Sequence, residues 1–203
     1  SDAILPPLTY AFINSFFGLN AAVLTSIVLA FLIAFHRARK NQNWKYSAGG
    51  MIIILLASGL AYYSKNASNY FLPAIISSSF FVLLSIISII IGRPLAAWAS
   101  HLSRGWPLKW FWRQDVKPAY REATLLWTIY FTLRLSIQLY LFLKGSILQL
   151  AWINLFLGWP MLTAVLIISY IYGIWRLKNL GGPGVDEYRS GKEPPWEGQK
   201  RGF

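Results

Sequence analysis

From Tyr70 to Ile91 the chain reads "YFLPAIISSSFFVLLSIISIII", without one charged side chain. At about 1.5 Å rise per residue, a helix of that length matches a hydrocarbon core about 30 Å thick. A helix satisfies all its backbone groups internally, which is what a bilayer demands of any segment crossing it. Further apolar blocks cover Leu19 to Phe35, Ala48 to Tyr63, Leu125 to Leu143 and Ile147 to Trp175. The sequence therefore predicts an all-α polytopic transmembrane bundle with five full spans. Composition agrees: of 203 residues, 56% are hydrophobic and only 13% charged, against about a quarter charged in soluble domains.

Before the first full span lies "AILPPLTYAFINSFF", Ala3 to Phe17, too short to cross unaided. "GLN" at 18–20 separates it from the next block, so it reads as a re-entrant or half-length helix. The last span carries "GWP" at 158–160, where Pro160 predicts a kink. "FINSFFG" (12–18) and "WINLFLG" (152–158) form a short internal echo of the kind transporters place at broken helices.

Basic residues alternate between loops. They crowd the connections 36–46 and 92–124 and the tail after Trp175, whereas the opposite loops carry only Lys65 and Lys144. The positive-inside rule then predicts an inner-membrane protein with these basic loops and the C-terminus in the cytoplasm. The net charge of +12 is read as affinity for an anionic leaflet, with membrane lipids as partners and no nucleic acid. Without cysteines there is no disulfide and no thiolate chemistry, and no signal peptide is indicated.

Within the interfacial segment 93–123, Leu95, Trp98 and Leu102 recur at helical spacing ahead of "WPLKWFW". This predicts an amphipathic helix on the cytoplasmic side, anchored in the headgroup layer by Trp98, Trp106, Trp110 and Trp112. Residues 1–178 form the transmembrane domain. Residues 179–203 form a Gly/Pro/charged cytoplasmic tail, disordered unless it docks. Its "GGPG" lacks the strand and the Lys-Ser/Thr of a phosphate loop. "NAS" at 66–68 matches a glycosylation sequon.

The residue of greatest interest is Arg134, the tenth of a nineteen-residue apolar block. An arginine at a helix centre costs at least about 2.5 kcal/mol on insertion scales. All seven acids lie outside the apolar blocks, so its company must be neutral acceptors, lipid phosphate, water or a bound anion. Gln138, Tyr130 and Trp127 share its helical face. Asn14 and Asn154 sit by the two helix breaks and offer acceptors from other helices.

Catalytic readings find little support. Ser77, Ser78 and Ser79 have no nearby activating base, no metal-ligand spacing exists, and no enzyme activity is expected. His36 and His101 fall near the membrane edge, where either is a candidate axial ligand for a haem or pigment.

"FLPA" (71–74), "GRPL" (92–95), "YREATLLW" (120–127), "LRLSIQ" (133–138) and "GWP" (158–160) together resemble a bacterial family of small polytopic inner-membrane proteins of unknown function. That family is distantly similar to intracellular septation protein A. The resemblance implies an all-helical fold with no established enzymatic activity. It also implies that Arg93, Tyr120, Arg121, Trp127, Arg134 and Gln138 belong to the family's pattern. Three functions are expected from these readings. The first is a non-enzymatic accessory or scaffold subunit of a larger membrane complex, with bound lipid and other membrane subunits as partners. The second is transport or binding of a small anion or anionic lipid around Arg134, and the third is a pigment- or haem-binding accessory protein.

Overall fold

A computed structural model describes residues 5–39 and 44–203. The start of the expected N-terminal stretch (residues 3 and 4) and Lys40 of the first basic connection lie outside the described residues. Within them every regular element is helical. In order these are α1 (Leu5–Arg39), α2 (Trp44–Tyr63), a 3-10 turn (Ala67–Phe71), α3 (Leu72–Ile90), α4 (Leu95–Arg104) and α5 (Leu108–Phe111). Then follow α6 (Lys117–Leu143), α7 (Ile147–Phe156), α8 (Trp159–Leu180) and α9 (Val185–Ser190).

Among the described residues, four stretches are long and apolar enough to cross a membrane: Leu5–Arg37, Ala67–Ile90, Lys117–Leu143 and Ile147–Leu180. The expected span from Ala48 to Tyr63 is present as the apolar helix Gly49–Tyr63, shorter than these four. The expected half-length helix and the block after it are two limbs of α1, which meet at Gly18 (φ 79°, ψ 178°). Only glycine adopts that conformation readily, so the residue that punctuates the sequence is also the one that lets the backbone turn. The second expected break falls between α7 and α8, where Gly158 is seated so close to the Asn154 carbonyl that a Cβ there would collide. Both halves of the internal echo thus end at helix breaks.

The described residues form two compact units. The first contains the described chain up to Ser77 together with Arg134–Trp159. Small residues dominate where α1 meets α2: Ala22, Ala57 and Ala61 are buried, and the Ser26 and Ser58 hydroxyls pair at 3.1 Å. Close backbone approach through alanine and serine is how helices associate where lipid offers no hydrophobic drive. Tyr10 stacks on Tyr70 at 3.9 Å and donates to the Ala67 carbonyl at 3.0 Å, which ties α1 to the 3-10 turn. Asn66 of the sequon caps that turn by accepting from the Ser68 amide at 3.0 Å.

The second unit holds Ser78–Leu133 and Pro160–Phe203. Its core is aromatic: Trp106, Trp110, Phe111, Tyr120 and Phe203 are buried together with Val116, Leu177 and Val185. The tail is built into this core. Trp110 Nε1 donates to the Pro183 carbonyl at 2.9 Å, and the Phe203 ring lies parallel to that of Tyr120 at 4.2 Å. Gly173 on α8 provides the seat, because a Cβ there would collide with the Phe203 ring. Gly182 and Gly184 of "GGPG" are equally enclosed, against Asp115 and the Gly198 carbonyl. This motif is a packing device.

Glu187 fastens the far end of the tail. Its carboxylate accepts from the backbone amides of Gly184, Glu197 and Gly198 and pairs with Lys192 at 3.2 Å. Those amides, Glu197 and Gly184 foremost, pull its pKa well below the usual carboxylate range, to about 2.

Candidate functional site around Arg134

Helix α6 carries two polar regions of opposite character. Near its start, Glu122 receives Arg176 Nε at 2.8 Å, Arg176 Nη2 at 3.1 Å and the Tyr172 hydroxyl at 2.6 Å, all from α8. This is a bidentate, fully engaged pair. Sequence reasoning left it out by treating Glu122 and Arg176 as loop charges. The available signal was Tyr172 and Arg176 on one helical face, with Glu122 the only acid between Asp115 and Asp186.

Arg134 is different. It is half-buried, and its Nε is sealed from solvent with no hydrogen-bond partner. The ion pairs among the described residues engage Arg113, Arg176, Lys192, Lys200 and Arg201, and none engages Arg134. One turn further along, Gln138 is wholly enclosed. Its Nε2 donates to Asn154 Oδ1 at 2.7 Å, and Asn154 Nδ2 donates to the Leu150 carbonyl at 2.8 Å. That last bond fixes both amides. A carbonyl only accepts, so Nδ2 must face Leu150, Oδ1 must face Gln138, and the Gln138 NH2 must point at it. Gln138 Oε1 is then a buried acceptor with no donor among the described residues.

The other expected members of the site are placed as follows. Asn14 is half-buried on α1, and no hydrogen bond joins it to Arg134, Gln138 or Asn154. Trp127 belongs to the second unit, where its indole N–H donates to Ser169 Oγ at 3.0 Å. Tyr130, in the same unit, is buried with its ring against Phe131. In the first unit, then, Gln138 and Asn154 are joined by a hydrogen bond, and Arg134 lies one helical turn from Gln138.

Of the four tryptophans expected to anchor the interfacial segment, Trp106 and Trp110 turn inward, 4% and 0% exposed. Both belong to the core beneath the tail, which corrects the expectation for these two. Trp98 and Trp112 are half-buried, their rings tilted at 58° to each other with centroids 6.1 Å apart. Helix α4 closes on Gly105 in the left-handed conformation. Its buried side is Ala96, Ala97 and Ser100, and Leu102 points outward, 81% exposed. The small side faces the protein, leaving the larger apolar side outside.

His36 is exposed at the end of α1, beside an open depression of about 420 Å³ lined by Leu32, Ile33, Phe35 and Arg39. His101 Nδ1 lies 2.6 Å from the Trp106 carbonyl. The carbonyl accepts, so Nδ1 carries the proton.

Four spans of membrane-crossing length and a polar site within one of them define a polytopic helical membrane protein. More particularly, the chain belongs to the family described as "Protein of unknown function (DUF3159)", which matches residues 1–177. No curated protein matches it, and no solved structure matches it. The tail from Lys178 onward lies outside the family match.

Proposed function

We propose that the protein binds an anionic guest, a small anion or an anionic lipid headgroup, within the membrane at Arg134. One observation carries this reading: the guanidinium has a sealed Nε without an acceptor, in a helix whose one acid, Glu122, is already engaged by Arg176. A permanent cation in hydrocarbon is expensive unless something neutralises it. The role is non-enzymatic, either binding or passage of the guest. The test is native mass spectrometry of the gently extracted protein. Wild type should carry an anionic adduct that Arg134→Gln loses while keeping its helical circular dichroism. Identical spectra from the two proteins, with no adduct in either, would refute it.

A second reading, an accessory or scaffold subunit of a larger assembly, draws support from the outward apolar side of α4, with Leu102 exposed and Trp98 half-buried. It loses the support that the tail and Trp110 lent it, since both are engaged inside their own chain. Companion subunits in the same mass spectrum would favour it. A haem or pigment at His101 is a third reading, supported by the Nδ1 contact that leaves Nε2 as the coordinating atom. An absorption spectrum of the purified protein tests it.

The basic connections support an inner-membrane location with those loops in the cytoplasm. Because the chain has no cysteine, single cysteines introduced at Lys65 and Arg93 would report sidedness cleanly. Labelling of both from the same side would overturn that orientation. The expected distant likeness to intracellular septation protein A rests on the sequence motifs alone and supplies no chemistry to any of these readings.

A further inference from the structure

The two orphan atoms at the site have opposite needs. Arg134 Nε–H is a donor without an acceptor, and Gln138 Oε1 is an acceptor without a donor. They lie one turn apart on one face of α6, where Cβ atoms are about 5–6 Å apart. Each leaves a desolvated polar group unpaired, which folded proteins avoid. A bare anion such as chloride or sulfate answers the arginine and leaves Gln138 Oε1 facing more negative charge. A water molecule answers both atoms and neutralises nothing. The group that answers everything is an anion that still carries a proton. Its charged oxygen accepts from Arg134, and its own O–H donates to Gln138 Oε1.

We propose that Arg134 and Gln138 form a two-point receptor for a proton-bearing oxyanion, namely hydrogen phosphate or a phosphomonoester headgroup. This rests on the anionic-guest reading above and narrows it. Inorganic phosphate keeps at least one O–H through neutral pH, a phosphomonoester keeps one only below its second pKa of about 6, and sulfate has none. Gln138 cannot rotate its amide to donate, because Asn154 and Leu150 hold it in place. The pair therefore discriminates by protonation between anions of similar size and shape, as sites with a committed hydrogen-bonding group do. Both atoms are sealed, and Arg134 is half-buried where Gln138 is wholly enclosed, so a guest enters from the Arg134 side by displacing the guanidinium. Asn154 acts as a positioning residue, through its hold on Gln138.

The test uses the full chain reconstituted in phosphatidylcholine vesicles, with radiolabelled inorganic phosphate as probe and sulfate as competitor. A parallel arm, run below about pH 6 so that the phosphomonoester keeps its proton, adds phosphatidic acid and measures the lipid retained on re-extraction. Phosphate or phosphatidic acid should bind, and the arm that responds identifies the source. Sulfate should compete at least about tenfold more weakly, the effect of leaving a buried acceptor unpaired. Gln138→Met keeps the volume and the arginine, and should bring sulfate and phosphate to equal affinity. Equal affinity in the wild type would overturn the protonation rule and leave the anion reading standing. No binding of any probe by folded wild-type protein would overturn both. Should Arg134→Gln fail to fold, the Gln138→Met comparison still decides the selectivity.

Discussion

The two compact units are held by different means. In the second, residues far apart in sequence meet through specific polar and aromatic contacts: Glu122 with Arg176, Trp127 with Ser169, Trp110 with Pro183, Tyr120 with Phe203. The first relies on small-residue approach between α1 and α2 and on the Tyr10–Tyr70 stack, and it alone contains the unanswered Arg134–Gln138 pair. Charge that serves the fold is given its partner within the chain. An ionised group held open beside a buried acceptor points to a partner from outside, because the sequence has a working example of pairing on the same helix.

That contrast can be broken most forcefully at Phe203. Replacing it by alanine empties a ring-sized space against Tyr120 and Gly173, and should destabilise the second unit by about 3 kcal/mol. Thermal melting followed by near-ultraviolet circular dichroism would register the change. An unchanged melt would mean that the tail is not part of this core.

Arg134→Leu should act in the opposite direction. It removes the burden of a central arginine and stabilises the protein by about 2 kcal/mol, while abolishing anion binding. A loss of stability on the same melt would show that the guanidinium is an internal brace, and the contrast between the units would fail.

Trp127→Phe keeps the ring and deletes the indole donor to Ser169. About 1 kcal/mol should be lost, typical of one hydrogen bond, and anion binding should be untouched. Altered binding would place Trp127 in the anion site after all.

The smallest effect concerns pH and Glu187. Its carboxyl is acidified to about 2 in the folded state, from an ordinary value of 4.5. A depressed carboxyl stabilises fully above its unfolded value and loses that contribution as protons are added. Docking of residues 184–198 should thus be constant above pH 4.5 and loosen progressively between there and pH 2. Hydrogen exchange of the Glu197 and Gly198 amides would follow it, and Glu187→Gln should flatten the profile. Loosening on the alkaline side would contradict the sign.

What could be read in advance divides along the same line. The apolar blocks announced α3, α6 and α8 because span length and the absence of charge are local properties. Gly18 and the Gly158–Pro160 stretch announced the breaks because glycine and proline act on their own backbone. Arg134 was conspicuous for its depth, and Gln138 for its spacing from it. The inward turn of Trp106 and Trp110 was not legible, since their companions Pro183 and Phe203 come from a segment that reads as solvent-exposed. Nor was the Glu122–Arg176 pair, whose members look like ordinary flanking charges until α6 and α8 lie together. Asn14 illustrates the converse: it matches Asn154 within the echo, yet only Asn154 has a glutamine opposite to bind.

The seat that Gly173 offers Phe203 has a genetic corollary. Position 173 lies inside the family match and position 203 beyond it, yet each limits what the other tolerates. Relatives without an aromatic residue at the position of Phe203 are released from glycine on α8, and a methyl group there should accompany loss of that ring. Inheritance at these two sites should be linked, so that swapping tails between relatives succeeds only when the matching α8 residue travels with them.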